Sequence, residues 1–163
     1  MKTTSILAIS AAVFSLSAFA EVKTERTMTL GKIPAAAAQA IQKFSAGAKV
    51  TKVSQESDAG KTVYESTLVK GGRVREVSVD AKGNLVSDEK VIQLSEAPEA
   101  VRKTIEMNAA GGKVEKLEQV TEGGKETFEA LIISGRGKRE EIVMTPRGKV
   151  VEREDKTKEK DKD

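Results

Sequence analysis

One stretch of this chain is written twice. Residues 30–47 read LGKIPAAAAQAIQKFSAG, and 64 residues later residues 94–111 read LSEAPEAVRKTIEMNAAG. The match continues: Leu30, Pro34, Ala36, Ile41, Gly47, Val50, Gln55, Gly60, Glu65 and Gly71 all recur identically at that shift. Beyond Gly135 the shift becomes 65, so one residue is inserted in a turn, and Val77, Val79, Gly83 and Val86 then answer to Ile142, Met144, Gly148 and Val151. A duplication punctuated by Pro and Gly predicts two copies of one supersecondary unit. A unit of about 60 residues buries a marginal core alone, and two packed together bury more.

Each copy predicts the same succession of elements. Residues 21–30 alternate Val22, Thr24, Arg26, Met28 and Leu30 with Lys23, Glu25, Thr27 and Thr29, a period of two with a charged polar face, as expected of an edge strand. A helix then starts at Pro34, tolerated in a first turn because its missing N–H would lack a partner there. Ala37, Ala40, Ile41 and Phe44 form its apolar stripe, flat enough to lie close on a sheet, and Gly47 ends it. Strands follow at 49–56, 62–69 and 74–80, separated by turns at 57–60 and Gly71-Gly72. After Lys82-Gly83-Asn84 a strand over 85–94 leads into the second helix.

The ends of the chain read differently. Lys2 precedes an uncharged run from Ile6 to Phe19, closed by Ala18-Phe19-Ala20. This predicts a signal peptide over 1–20 cut after Ala20, hence a periplasmic or secreted protein with no membrane anchor after cleavage. The run is shorter than the roughly 20 apolar residues of a membrane span. Residues 152–163, EREDKTKEKDKD, carry no apolar side chain and predict a disordered tail, taken from 155 onward. The expected division is therefore 1–20 signal peptide, 21–92 first repeat with its leading strand, 93–154 second repeat, and 155–163 tail.

The residues that carry the repeat are Leu-x-x-x-Pro, an Ala-rich helix, Gly47-Ala48-Lys49-Val50-Thr51-Lys52-Val53, then Tyr64-Glu65, then Arg75 to Gly83 before a turn. This pattern resembles the PepSY-like family, including its branch described as β-lactamase-inhibitor-protein-like, over about residues 30–92 and 93–154. The resemblance implies an α+β fold: two tandem helix-plus-antiparallel-strands units, with the helices on one side of a joined antiparallel sheet whose open side can grip a partner. It implies small exported or membrane-attached modules of the kind held to bind or restrain peptidases, and it supplies no catalytic residues. The second copy departs from the first at Asn108, where Phe44 stood, and at Thr145-Pro146-Arg147-Gly148, where Asp80-Ala81-Lys82-Gly83 stood.

Chemistry is mostly excluded. There is no histidine and no cysteine. That removes the usual neutral-pH general base, thiol nucleophiles, disulfides and most transition-metal sites. Ser87-Asp88-Glu89-Lys90 matches Ser-x-x-Lys, but on a strand positions three apart point to opposite faces. Basic residues are interleaved with acids, the net charge is +3 and aromatics are 3% of the chain, which speaks against nucleic acid. No cofactor is expected, and the chain is expected not to be an enzyme. The candidate partner-binding residues lie on the strands: Glu65, Thr67, Glu76, Ser78, Glu129, Leu131, Ile133, Glu141 and Val143. The expected partner is a protein of the envelope, such as a peptidase or other enzyme. The alternative is a small ligand or divalent ion held by Glu65 and Glu129, although solvent-facing positions opposite Tyr64 and Phe128 explain these two acids more simply.

Overall fold

The computed structural model describes residues 24–58 and 61–157. The expected signal peptide and its cleavage site, the first residues of the leading strand, Ala59-Gly60 of the first turn and residues 158–163 lie outside the described residues. Nine strands form one sheet in sequence order, every neighbouring pair antiparallel. They are β1 Thr24–Met28, β2 Lys49–Asp58, β3 Lys61–Lys70, β4 Arg73–Asp80, β5 Leu85–Val91, β6 Lys113–Glu122, β7 Lys125–Ile133, β8 Arg139–Met144 and β9 Val150–Asp155. Helix α1, Ala35–Ser45, lies between β1 and β2, and helix α2, Glu99–Ala109, between β5 and β6. Each helix is preceded by a 3₁₀ turn, Leu30–Lys32 or Leu94–Glu96, so both approach strands end short of their expected bounds. The fold is α+β, two helices on an open antiparallel sheet. No helix among the described residues is long and apolar enough to cross a membrane.

Register places both helices on the same side. Leu68 lies opposite Arg75, Arg75 opposite Lys90, Lys90 opposite Gln119, and Gln119 opposite Phe128. Directly opposed residues share a face. Leu68 packs under α1 with Ile41, Val77 and Val79; Phe128 packs under α2 with Ile105, Ile132, Ile142 and Met144. Burying each such aliphatic side chain contributes about 1.5–3 kcal/mol. The two apolar clusters are separated on this face by the polar middle strands, where Arg75, Asp88, Lys90 and Gln119 stand.

The helix ends explain the Pro and Gly punctuation. Pro34 and Pro98 sit immediately before the first helical residue, with φ of −51° and −53°. The left-handed turn that stops each helix begins one residue earlier than expected, at Ala46 and Ala110 (φ 46° each), and continues into Gly47 and Gly111. The αL region is uncommon for alanine and easy for glycine.

Asn108 replaces Phe44 for a reason visible across the sheet. In the first half, Arg75 of β4 holds Asp88 of β5 through two hydrogen bonds of 2.7 and 2.8 Å and donates a third to the Phe44 carbonyl. The positions matched at a shift of 65 carry the pair reversed: Glu140 on β8 and Arg153 on β9, 3.4 Å apart. Arg153, now on the other strand, donates to the Asn108 side chain at 2.5 Å.

Asp155, Lys156 and Thr157 correct the expectation of a tail from residue 155. Residues 150–155 pair with β8, Lys156 is 3% exposed, and Thr157 hydrogen-bonds to both N and O of Arg139. A charged segment needs no apolar face when an existing strand supplies its backbone partners.

Two glycines seat the helices against the turns. A Cβ on Gly83 would meet the Ala36 carbonyl oxygen at 2.7 Å, and one on Gly148 would meet Ala100 O at 2.4 Å and Thr104 Oγ1 at 2.8 Å. Gly148 O also accepts the Thr104 hydroxyl. Gly72, with a similar positive φ, has open space around it. Gly83→Ala and Gly148→Ala are therefore expected to lose about 2–4 kcal/mol in urea unfolding, against about 1 kcal/mol for Gly72→Ala. Equal losses at the three positions would refute the close helix–turn approach.

Candidate functional site

The nine candidate residues come together on one face, the side away from both helices. Glu65 lies opposite Ser78, and Thr67 opposite Glu76. From Glu76 the row runs to Glu89, Val120 and Thr127. Thr127 is followed at period two by Glu129, Leu131 and Ile133, with Val143 opposite Glu129 and Glu141 opposite Leu131. Ser87 lies opposite Ser78 on this face, whereas Lys90 lies opposite Arg75 on the helix side. The Ser-x-x-Lys match is thus split across the sheet, as the strand spacing requires.

This face is not the flat solvent surface the alternation predicts. Glu65 is 3% exposed, and Ser54, Ser78, Val120 and Val143 are buried too. The helices pack against the opposite face, so among the described residues only the strands' own side chains cover these positions. Burial of these positions with no covering layer requires the sheet to curl toward this side. Strand twist accumulates across nine strands, and bulges interrupt the register at 50/52, 78/79, 114/116 and 143/144. A bulge bends its strand and increases the local twist. The expectation that Glu65 and Glu129 are plain solvent-facing residues is corrected accordingly: both face away from the helices, Glu65 is buried and Glu129 is half-buried.

Carboxylates dominate the concave side. Glu76 stands directly opposite Glu89, and Glu118 directly opposite Glu129; opposed like charges destabilise a sheet. Lysines offset part of this. Lys116 holds Glu118 at 2.7 Å, Lys52 is engaged by Glu25, and Lys156 holds Glu154 at 2.8 Å. Thr67 donates to Glu76 at 3.3 Å. No hydrogen bond or ion pair among the described residues engages Glu65 or Glu129. Burial pushes the Glu65 carboxyl up to about 8, helped by the charges of Glu56, Glu76 and Glu89 and opposed by Lys52. Burial pushes Glu129 up to about 8 as well, helped by Glu141, Glu89 and Glu118 and opposed by Lys116. Burial also raises Glu76 and Glu141.

The structure does not bring Glu65 and Glu129 together. Three strands lie between β3 and β7, each adding about 4.8 Å across the sheet. No group of three acids among the described residues is arranged to hold a metal ion. Sequence reasoning missed Ser54, Glu89 and Glu118. Ser54 carries a buried hydroxyl with no hydrogen-bond partner. Its only signal in the sequence is a small polar residue in a strand, one position after the core residue Val53.

No protein-family model matches the chain, and no curated protein matches it. Solved structures do. A Bacteroides eggerthii protein for which a periplasmic location has been suggested superposes with a TM-score of 0.65 at 19% identity, covering 78% of this chain and 92% of its own. A DUF2874-family protein from Bacteroides uniformis gives 0.63 at 20% identity, over 76% and 90%. A BLIP-like protein from Bacteroides fragilis gives 0.60 at 19% identity, over 77% and 87%. This chain shares the fold of these DUF2874-family and BLIP-like proteins.

The buried acids tie stability to pH with a definite sign. Folding raises both carboxyls from the ordinary glutamate value of about 4.3, so the folded chain binds more protons than the unfolded chain between about pH 4.5 and 8. Stability is greatest at the lower end of that window and falls as pH rises through it. Asp88 and Glu115, held below the usual carboxylate range by Arg75 and Arg139, titrate beneath it. Urea unfolding is expected to give lower stability at pH 8.5 than at pH 5.5. Glu65→Gln and Glu129→Gln should each recover about 2–4 kcal/mol at pH 8.5 and little at pH 5.5. An unchanged pH slope in the double variant would overturn the assignment.

Proposed function

We infer that this chain is an exported, non-catalytic binding module built from two tandem PepSY-like units. It acts by holding a protein partner, such as an envelope peptidase or other enzyme, on the sheet face opposite the helices. The observation that carries this reading is the burial of several acidic side chains, with the unpartnered Ser54 hydroxyl, on the one sheet face that no helix covers. A hydroxyl buried without a partner, as at Ser54, calls for a reason beyond support of a core. The side chains at the rim of this face, Leu131 and Ile133 with Val143 behind them, supply apolar area next to the carboxylates, the mixed composition of a protein interface. The fold shared with a BLIP-like protein and with a protein suggested to be periplasmic supports the partner-holding role and the exported location.

Non-catalytic character is supported by composition and by placement together. The chain lacks histidine and cysteine, and the one serine–lysine pair with a catalytic spacing points to opposite sides of β5.

Capture experiments separate this face from the helix side. The chain from Glu21 onward is expected to retain a partner from an exported-protein fraction. Thr67→Arg and Leu131→Arg on the open face should abolish retention, whereas Lys43→Glu on α1 and Met107→Lys on α2 should leave it intact. Each variant is first shown to be folded by circular dichroism. Retention that survives both open-face substitutions would overturn the reading.

A further inference from the structure

We propose that β9 is a stopper: it fills, within the chain, the place at which β1 of a second copy continues the sheet, so that releasing β9 lets copies join end to end. The joint between copies repeats one already built inside the molecule. Such self-association is independent of any partner held on the open face.

Strands β1, β5 and β9 play one role in three successive places. Between β1 and β2, Thr24 lies opposite Ser57, Glu25 opposite Glu56 and Arg26 opposite Gln55. Moved by the repeat shift of 64, these become Asp88 opposite Thr121, Glu89 opposite Val120 and Lys90 opposite Gln119, the register of β5 on β6. Between β4 and β5, Arg75 lies opposite Lys90, Glu76 opposite Glu89 and Val77 opposite Asp88. Moved by 65, these become Glu140 opposite Asp155, Glu141 opposite Glu154 and Ile142 opposite Arg153, the register of β9 on β8. The bulge at 78/79 recurs with them at 143/144. Strand β5 is therefore the last strand of the first unit and the first strand of the second, paired on both sides. Among the described residues β1 is paired only with β2, and β9 only with β8. What β1 lacks is a neighbour of the β4 or β8 kind, and the outer side of β8 is taken by β9. An open strand edge is a template for another chain, and exchange of an equivalent element is a low-cost route to assembly.

Charge favours β1 in that place. In its own chain β9 sets acids directly against acids, Asp155 against Glu140 and Glu154 against Glu141, and opposed like charges disfavour a strand pair. In the same register, β1 of a second copy brings Arg26 opposite Glu140, Glu25 opposite Glu141 and Thr24 opposite Ile142. The first acid–acid opposition becomes an opposite-charge pair, and Glu25 arrives already joined to Lys52. The register also keeps the helices of both copies on one side, so the open faces run on from copy to copy. Side-chain fastenings hold β9 more than a core does. Arg153 reaches Glu140 and the Asn108 side chain, Lys138 lies 4.0 Å from Asp155, and Lys156 holds Glu154. Val150 packs against the cluster under α2, while residues 151–155 are exposed. Being tethered, β9 meets β8 at a high effective concentration that a separate copy lacks, so the intact chain rests closed.

The test is sedimentation velocity on the chain from Glu21 onward. The parent is expected to sediment as a monomer. Arg153→Glu sets an acid beside Glu140 and removes the bond to Asn108, and at the same concentration it should raise the weight-average mass about twofold or more. Arg26 is exposed, so Arg26→Glu leaves the parent folded. Added to Arg153→Glu, it should return the mass to that of the monomer, because an acid would then face Glu140. An excess of a synthetic peptide of residues 150–157 should do the same by refilling the place of β9. Circular dichroism checks each variant. If Arg153→Glu is unfolded, Lys156→Glu, which loosens the other end of β9, takes its place. A parent that is already associated, a folded variant that stays monomeric, or assembly that persists with Arg26→Glu or with the peptide would each overturn the stopper. Unfolding of both variants would overturn it too, since β9 would then be part of what holds the fold together.

Discussion

The continuous antiparallel pairing from β1 to β9, with a bulge at four places, is the constraint on which the rest of the molecule depends. Between bulges strand side chains alternate, so the paired ladder assigns the paired residues of the sheet to the helix side or to the open side. Leu68, Val77, Phe128 and Ile142 reach the helices by that alternation. Glu65, Glu76, Glu89 and Glu129 reach the concave side by the same rule. A slip of one residue in any strand would exchange the two sets, sending carboxylates under a helix and aliphatic groups into the concavity. The apolar clusters under α1 and α2 therefore also fix the geometry of the acidic face.

That face is maintained against its own electrostatics. Burial and mutual repulsion both disfavour ionised carboxylates there. A sheet selected for stability alone would place uncharged residues such as threonine or valine at Glu65 and Glu129. Local choices that oppose the stability of a fold concentrate where a protein meets something else. The aliphatic anchors below the sheet, Ile41 and Ile105 above all, supply the stability that lets the open side remain unfavourable in isolation.

Much of this was legible in the chain, and the limits follow from physics. Helix positions, hairpin glycines and the strands between them could be read from local pattern, because Pro, Gly and period-two alternation act within a few residues. The grouping of the nine candidate side chains on one face also followed from alternation. Burial of Glu65 did not, because it depends on how far nine twisted strands curl, a sum over the whole sheet. Ser54 was hidden for the same reason: a serine in a strand says nothing of whether water reaches it. The order of Asp155 to Thr157 was obscured because composition reports the apolar surface a segment can bury, whereas these residues are held by groups offered by β8. The meaning of Asn108 lay 45 residues away, in an arginine that had changed strands.

The reversed ion pair has a consequence for assembly. Chains with two similar halves risk pairing a strand with the wrong copy of its neighbour. Here β4 joined to β9 would set Arg75 against Arg153, and β8 joined to β5 would set Glu140 against Asp88. Each correct junction matches opposite charges, and each exchanged junction confronts like ones. The polarity of a single salt bridge thus labels the halves as left and right and favours one order of closure over the other.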